Sequence, residues 1–191
     1  MKRRKAIVSI FLLSAGVAAT YTGFKAFHIY KTPDWKFLDN CVNMMEELAE
    51  ILIPETDTPG AKAAAVGPVM KMLVKNAIKR TDQNNFIEGL KATQQYCIKE
   101  FNKDIDALNN SEKEKLMQKI FDDDDEWNGL IGKVKRKLTG HSYFSLLREY
   151  SSIAFCTSQL GAEKALSYDH VPGRYFPCIP LENGQHSWAT K

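Results

Sequence analysis

Apolar residues recur three and four positions apart through most of this chain, and that spacing predicts helices. Over residues 35–53, Phe37, Leu38, Val42, Met45, Leu48, Ala49 and Leu52 mark one face, with Asp39, Asn43, Glu46 and Glu50 between them. Pro54 ends this first helix, since it has no amide proton to continue the ladder. Residues 55–61 read as a turn and a new helix start: Thr58 offers an oxygen to orphan amides and Pro59 carries the backbone angle of a first helical position. The second helix is expected over residues 61–79, with Val66, Val69, Met70, Leu73, Val74, Ala77 and Ile78 inward and Gly67-Pro68 kinking or dividing it. A third is expected over residues 83–108, on Phe86, Ile87, Leu90, Tyr96, Cys97, Phe101, Ile105 and Leu108.

Ser111, with Glu114 three positions on, reads as a capping box that opens a short helix through Leu116 and Ile120. Another helix is expected from Asp125, carrying Trp127, Leu130, Ile131, Val134 and Leu138 to a stop at Gly140. The last opens near Ser142 and presents Phe144, Leu147, Ser151, Ala154, Phe155 and Leu160 before Gly161. No stretch shows sustained two-residue alternation, so the fold class is all-α, a helical bundle. Residues 25–191 read as one helical domain.

After Ala165 the pattern changes. Tyr168-Asp169-His170-Val171-Pro172-Gly173-Arg174-Tyr175-Phe176-Pro177-Cys178-Ile179-Pro180-Leu181 holds three prolines and a glycine, which forbid a regular helix, yet its aromatic and aliphatic side chains still call for burial. Residues 168–191 therefore form an irregular arm rich in proline, glycine and aromatics. The arm either wraps its own helical body, the more economical arrangement, or helps to cover a partner.

Charge alters the picture mainly at the amino terminus. The formal charge is +3, and removing Lys2, Arg3, Arg4 and Lys5 leaves −1 for the rest of the chain. A nearly neutral body lacks the electrostatic footprint of a nucleic-acid-binding protein. The basic cluster precedes an uncharged run from Ala6 that closes on Val17, Ala18 and Ala19, which is the grammar of an export signal. Residues 1–24 act either as a signal cut after Ala19 or as a retained membrane anchor. The adjacent Arg3-Arg4 points to the twin-arginine route, although Lys5-Ala6-Ile7 departs from the fuller consensus.

Export would place Cys41, Cys97, Cys156 and Cys178 where disulfides persist, and four cysteines allow three complete pairings, none selected by the sequence. Some of them are equally explained as small buried apolar groups. The chain has no Cys-x-x-Cys, no Cys-x-x-Cys-His haem attachment run, no Gly-x-Gly-x-x-Gly and no phosphate-loop lysine, so no cofactor site is expected in it. His28, His141, His170 and His186 show no metal-ligand interval. Residues 122–126 are all acidic without the glycine of a calcium loop, and read as a solvated turn before a helix amino terminus. No Gly-x-Ser-x-Gly elbow appears. These residues point to an exported helical domain that binds another macromolecule.

Two segments resemble a known family. Leu48-Ala49-Glu50-Ile51-Leu52-Ile53-Pro54-Glu55-Thr56-Asp57-Thr58-Pro59-Gly60-Ala61 is similar to the signature near the start of the gluconate 2-dehydrogenase subunit 3 family, the small or gamma subunit of membrane-associated flavin dehydrogenases. Tyr168-Asp169-His170-Val171-Pro172-Gly173-Arg174-Tyr175 with Cys178-Ile179-Pro180-Leu181 resembles that family's closing segment, and Thr157-Ser158-Gln159-Leu160-Gly161-Ala162 and Trp188 also fit. Residues 83–137 match in helical character only, and Cys156 stands where an aromatic residue is expected.

The resemblance implies a non-catalytic subunit of a periplasmic, membrane-associated sugar or sugar-acid dehydrogenase. In such complexes a large flavoprotein of the glucose-methanol-choline type carries FAD and oxidises the substrate, and a cytochrome c subunit with haem c passes electrons onward. The small subunit assists folding of the large one and its passage through the twin-arginine machinery. Thr56, Asp57, Thr58, Pro59 and Gly60, with Tyr168, Pro172, Gly173, Arg174, Tyr175 and Phe176, are then the expected contact elements. Arg174, Tyr175 and Phe176 are the natural anchors, because aromatics and arginine dominate interface hot spots. A purely local role for Asp57 and Thr58 as caps, and for Pro172-Gly173 as a turn, also fits. The alternative function is a free-standing exported helical protein that binds a small ligand or envelope component.

Overall fold

An aspartate opens the first helix. In the computed structural model, which describes residues 31–125, 129, 133, 140–171, 173, 178–181 and 183–189, Asp34 Oδ1 accepts the Phe37 amide at 3.1 Å and starts α1, Trp35–Asn40. The single helix expected over residues 35–53 is in fact two. At Cys41 the backbone leaves helical geometry, and α2, Val42–Leu52, resumes beyond it. Burial favours the break, because Leu38 on one side and Met45 and Leu48 on the other are all fully inaccessible.

The second expected helix starts five residues late. α3 is Val66–Asn76, and neither is Thr58 its cap nor Pro59 its first residue. Residues 55–62 are held back against the end of α2, and Ala65 adopts a left-handed conformation (φ 49°) before the helix begins. Gly67-Pro68 consequently lies in the first turn, where a missing amide proton costs nothing, and does not kink the helix. The end of α3 is closed by Gln83, whose amide donates to the Val74 and Lys75 carbonyls at 3.1 Å each.

α4 is Arg80–Tyr96, extended by one π-helical turn, Cys97–Phe101. It stops at Asn102 (φ 52°), short of the expected Leu108, because the left-handed residue ends the ladder. Ile105 and Leu108 are still buried, carried by a short 3-10 turn, Ile105–Ala107, that packs on α2.

The next helix is also capped elsewhere than expected. Asn109 Oδ1 accepts the Glu112 amide at 2.9 Å while Glu112 Oε2 accepts the Asn109 amide at 2.8 Å, so the reciprocal box is Asn109 with Glu112 and not Ser111 with Glu114. It opens α5, Asn110–Asp125, and residues 122–125 form the last turn of that helix, not a turn before another. The helix expected from Asp125 through Trp127, Leu130, Ile131, Val134 and Leu138 lies outside the described residues.

α6, Tyr143–Cys156, opens as expected on Ser142, whose hydroxyl accepts the Ser145 amide. It packs against α2, α3, α4 and α5 and so forms the centre of the domain. Leu146, Leu147, Ala154 and Phe155 face the core, and each large aliphatic side chain sealed there contributes roughly 1.5–3 kcal/mol. Its entry is tied to α4, since Asp82 accepts the His141 amide at 2.7 Å and Asn85 donates to the His141 carbonyl at 2.9 Å. Among the described residues there is no β-strand, and the fold is all-α. After a π-helical turn, Gly161–Ala165, the chain enters the arm.

Candidate interaction surface

Glu50 organises the loop that follows α2. Its carboxylate sits near the carboxyl end of that helix, where the macrodipole disfavours an anion, but it accepts two backbone amides across the loop. Glu55 donates to Oε1 at 3.0 Å and Lys62 to Oε2 at 2.7 Å. The Ala61 amide donates to the Ile53 carbonyl at 3.0 Å, which joins the two feet of the loop, and Ala61 itself is fully buried. Between the feet, the Thr56 amide donates to the Thr58 carbonyl at 3.0 Å and the two threonine hydroxyls lie 3.3 Å apart. Gly60 is required here: a Cβ would stand 2.6 Å from Glu50 Oε2 and 2.7 Å from the Glu55 nitrogen.

The outcome is a braced loop with an exposed tip. Thr56 and Asp57 face solvent, Thr58 and Pro59 are half-buried, and Gly60 is buried. One turn earlier, Glu47 is buried and binds Lys62 and, at 2.9 Å, Lys113 of α5. Burial alone would push the Glu47 carboxyl up; the hydrogen bonds and charges of Lys113 and Lys62 outweigh it and hold it below its usual range. Neither glutamate stands out in sequence, because each partner is 5 to 66 residues away.

The arm is tied at two points, and its described residues between them are exposed. The Ser167 amide donates to the Ser187 carbonyl at 2.8 Å, and the Ala189 amide to the Ser167 carbonyl at 2.9 Å, which makes a parallel bridge with Trp188. His186 Nδ1 donates to the Ala165 carbonyl at 3.0 Å. The apolar residues described between these ties face water: Tyr168, Ile179, Val171 at 73% exposure and Leu181 at 89%, with Trp188 at 54% beside the bridge. Gly173 is exposed too. Pro172, Arg174, Tyr175 and Phe176 lie outside the described residues, as do Arg3 and Arg4.

All four cysteines are free; Cys41 and Cys97 are buried, and Cys156 and Cys178 are exposed. Burial raises the Cys41 and Cys97 thiols above their ordinary value. Between α4, α5 and α6 lies a cleft of about 450 Å³, which the sequence pattern did not reveal because its walls come from three separate helices. Ala92, Leu116, Ile120 and Phe144 give it apolar walls, and Asp123 and Asp124 border it. Asp124 Oδ1 is buried there without a hydrogen-bond partner among the described residues. His141 Nδ1 lies 3.2 Å from Asp82 Oδ2. Among the described residues, no group of three His, Cys, Asp or Glu side chains could hold a metal ion, and no helix is long and apolar enough to cross a membrane.

These features define an all-α arrangement centred on α6, with a braced loop on its surface and an arm whose described apolar residues are exposed. The chain belongs to the gluconate 2-dehydrogenase subunit 3 family, whose model matches residues 40–173. The match covers more than half of the chain, from the end of α1 through the braced loop to the opening of the arm. It makes the protein a relative of the subunits of a dehydrogenase complex. No curated protein and no solved structure matches it.

Proposed function

We propose that this chain is the non-catalytic small subunit of a periplasmic, membrane-associated dehydrogenase of sugars or sugar acids, and that it assists folding, export and assembly of the large flavoprotein. FAD and the oxidation chemistry belong to that partner, of the glucose-methanol-choline type, and a cytochrome c subunit receives the electrons. The single observation that carries this reading is the arm: its feet are tied to each other and its described apolar residues face water, as a surface that a partner covers would. Family membership supports a partner among the other subunits of a dehydrogenase complex. Arg3 and Arg4 mark the twin-arginine route in this reading.

The test is complementation, with this chain co-expressed with a flavoprotein of that type. Removal of residues 168–191, or the pair Arg174→Ala and Tyr175→Ala, lowers the periplasmic flavoprotein and its co-purification while its substrate preference stays unchanged. Normal periplasmic activity with both variants overturns the proposal. A second reading, a free-standing exported protein that binds a small ligand, draws on the 450 Å³ cleft, whose size and apolar walls suit one. It predicts a chain that purifies alone and stays alone in the presence of the flavoprotein.

A further inference from the structure

Resting on the subunit reading above, we propose that the loop of residues 54–60 is a preformed docking tip, braced by Glu50, whose Asp57 carboxylate engages a lysine or arginine of the flavoprotein subunit. Three observations converge on it. The first is that the brace works against its surroundings. Glu50 is kept at the unfavourable end of α2, and its carboxylate is spent on the loop amides of Glu55 and Lys62. A loop that needed only to connect α2 to α3 could be satisfied by water.

The second observation is that the cations nearby are already committed. Lys62 turns its main-chain amide to Glu50 and its ammonium to Glu47, and Lys113 also binds Glu47. Asp57 is left exposed with no hydrogen bond or ion pair among the described residues. The third is stiffness. Pro54 and Pro59 limit the backbone, Gly60 admits the Glu50 carboxylate at a spacing no other residue allows, and Ala61 is locked in the core. A loop ordered before contact loses little conformational entropy on binding, so a single charge at its tip acts at a fixed position. Such a pair sets registration and association rate more than bulk affinity. It complements the apolar arm, which supplies area.

The experiment measures binding of the full-length chain to the co-expressed flavoprotein by biolayer interferometry at low and high salt. Asp57→Lys is expected to weaken binding about tenfold at low salt, chiefly through the association rate, and Asp57→Asn by about threefold, with both differences shrinking at high salt. Thermal unfolding of the free variants should match the wild type, because Asp57 is exposed and makes no hydrogen bond or ion pair among the described residues. Glu50→Ala should speed amide exchange at residues 55–58 and weaken binding even though its own side chain does not reach the tip. If Glu50→Ala fails to fold, the Asp57 variants alone decide. Binding of Asp57→Lys within about twofold of the wild type overturns the docking proposal and leaves the subunit reading standing. Failure of the wild type to bind the flavoprotein overturns both.

Discussion

Replacing Gly89 by alanine tests how closely α4 approaches α6. Gly89 lies inside α4, where alanine would ordinarily gain about 1 kcal/mol in helix propensity. Here the new Cβ would overlap Tyr143 Cγ and stand 2.7 Å from Tyr143 Cβ. Those atoms are fixed to the first residue of the central helix and cannot swing aside as a side-chain tip would. The Tyr143 ring is further held by Phe86, with ring centres 5.7 Å apart, and its phenol meets the Thr93 hydroxyl at 3.3 Å. Overpacking of this kind costs about 1–3 kcal/mol, and the lack of slack places it near the upper end. The net expectation is a loss of about 2 kcal/mol, or roughly 4–8 °C in Tm for a chain of this length. Urea unfolding of the four proteins in a double-mutant cycle with Tyr143→Ala provides the assay. In the Tyr143→Ala background, which removes the ring but keeps the Cβ at 2.7 Å, Gly89→Ala should lose only part of its cost, a coupling of about 1–2 kcal/mol. A higher urea midpoint for Gly89→Ala in the wild-type background refutes the reasoning.

Ala65→Gly should stabilise the chain by about 1 kcal/mol in the same urea assay, because Ala65 is held at φ 49°, where a Cβ is disfavoured; a destabilised variant contradicts that reading. Glu47 is held below its ordinary carboxyl value of 4.5, so its contribution is present above that value and is lost as pH falls through the lowered one. Glu47→Gln should therefore reduce stability at neutral pH and flatten the acid limb below about pH 5, as followed by thermal unfolding across pH; an unchanged limb excludes the role. With an aromatic disulfide reagent under native conditions, Cys156 and Cys178 should react promptly while Cys41 and Cys97 wait for denaturant; four prompt thiols contradict their burial.

Most helices were legible in the sequence because burying one face of a helix leaves a three-to-four-residue period that needs no knowledge of neighbours. That period placed Leu38, Met45, Leu48, Met70, Val74, Phe86, Leu90 and Leu147 in the core, where they are found. Ser142 also announced its helix, because a cap acts within three residues. Where two local signals competed, the choice passed to tertiary contacts. Asn109 with Glu112 won over Ser111 with Glu114, and Lys103 binds the chosen glutamate at 2.9 Å. Thr58 and Pro59 carry the local marks of a helix start but lie in a loop, where the Glu50 carboxylate, twelve residues from Lys62, claims the Lys62 amide that a helix would have used.

The sequence by itself determined the all-α class, the faces of the helices, the change of grammar at the arm and the family signatures, since each is written in residues close together along the chain. The tertiary structure alone decided where α1 ends, where α3 begins, how closely α4 meets α6 and which glutamates brace the loop. Those outcomes depend on groups that meet only after folding, when buried carboxylates and amides must find partners across distances that no local pattern encodes.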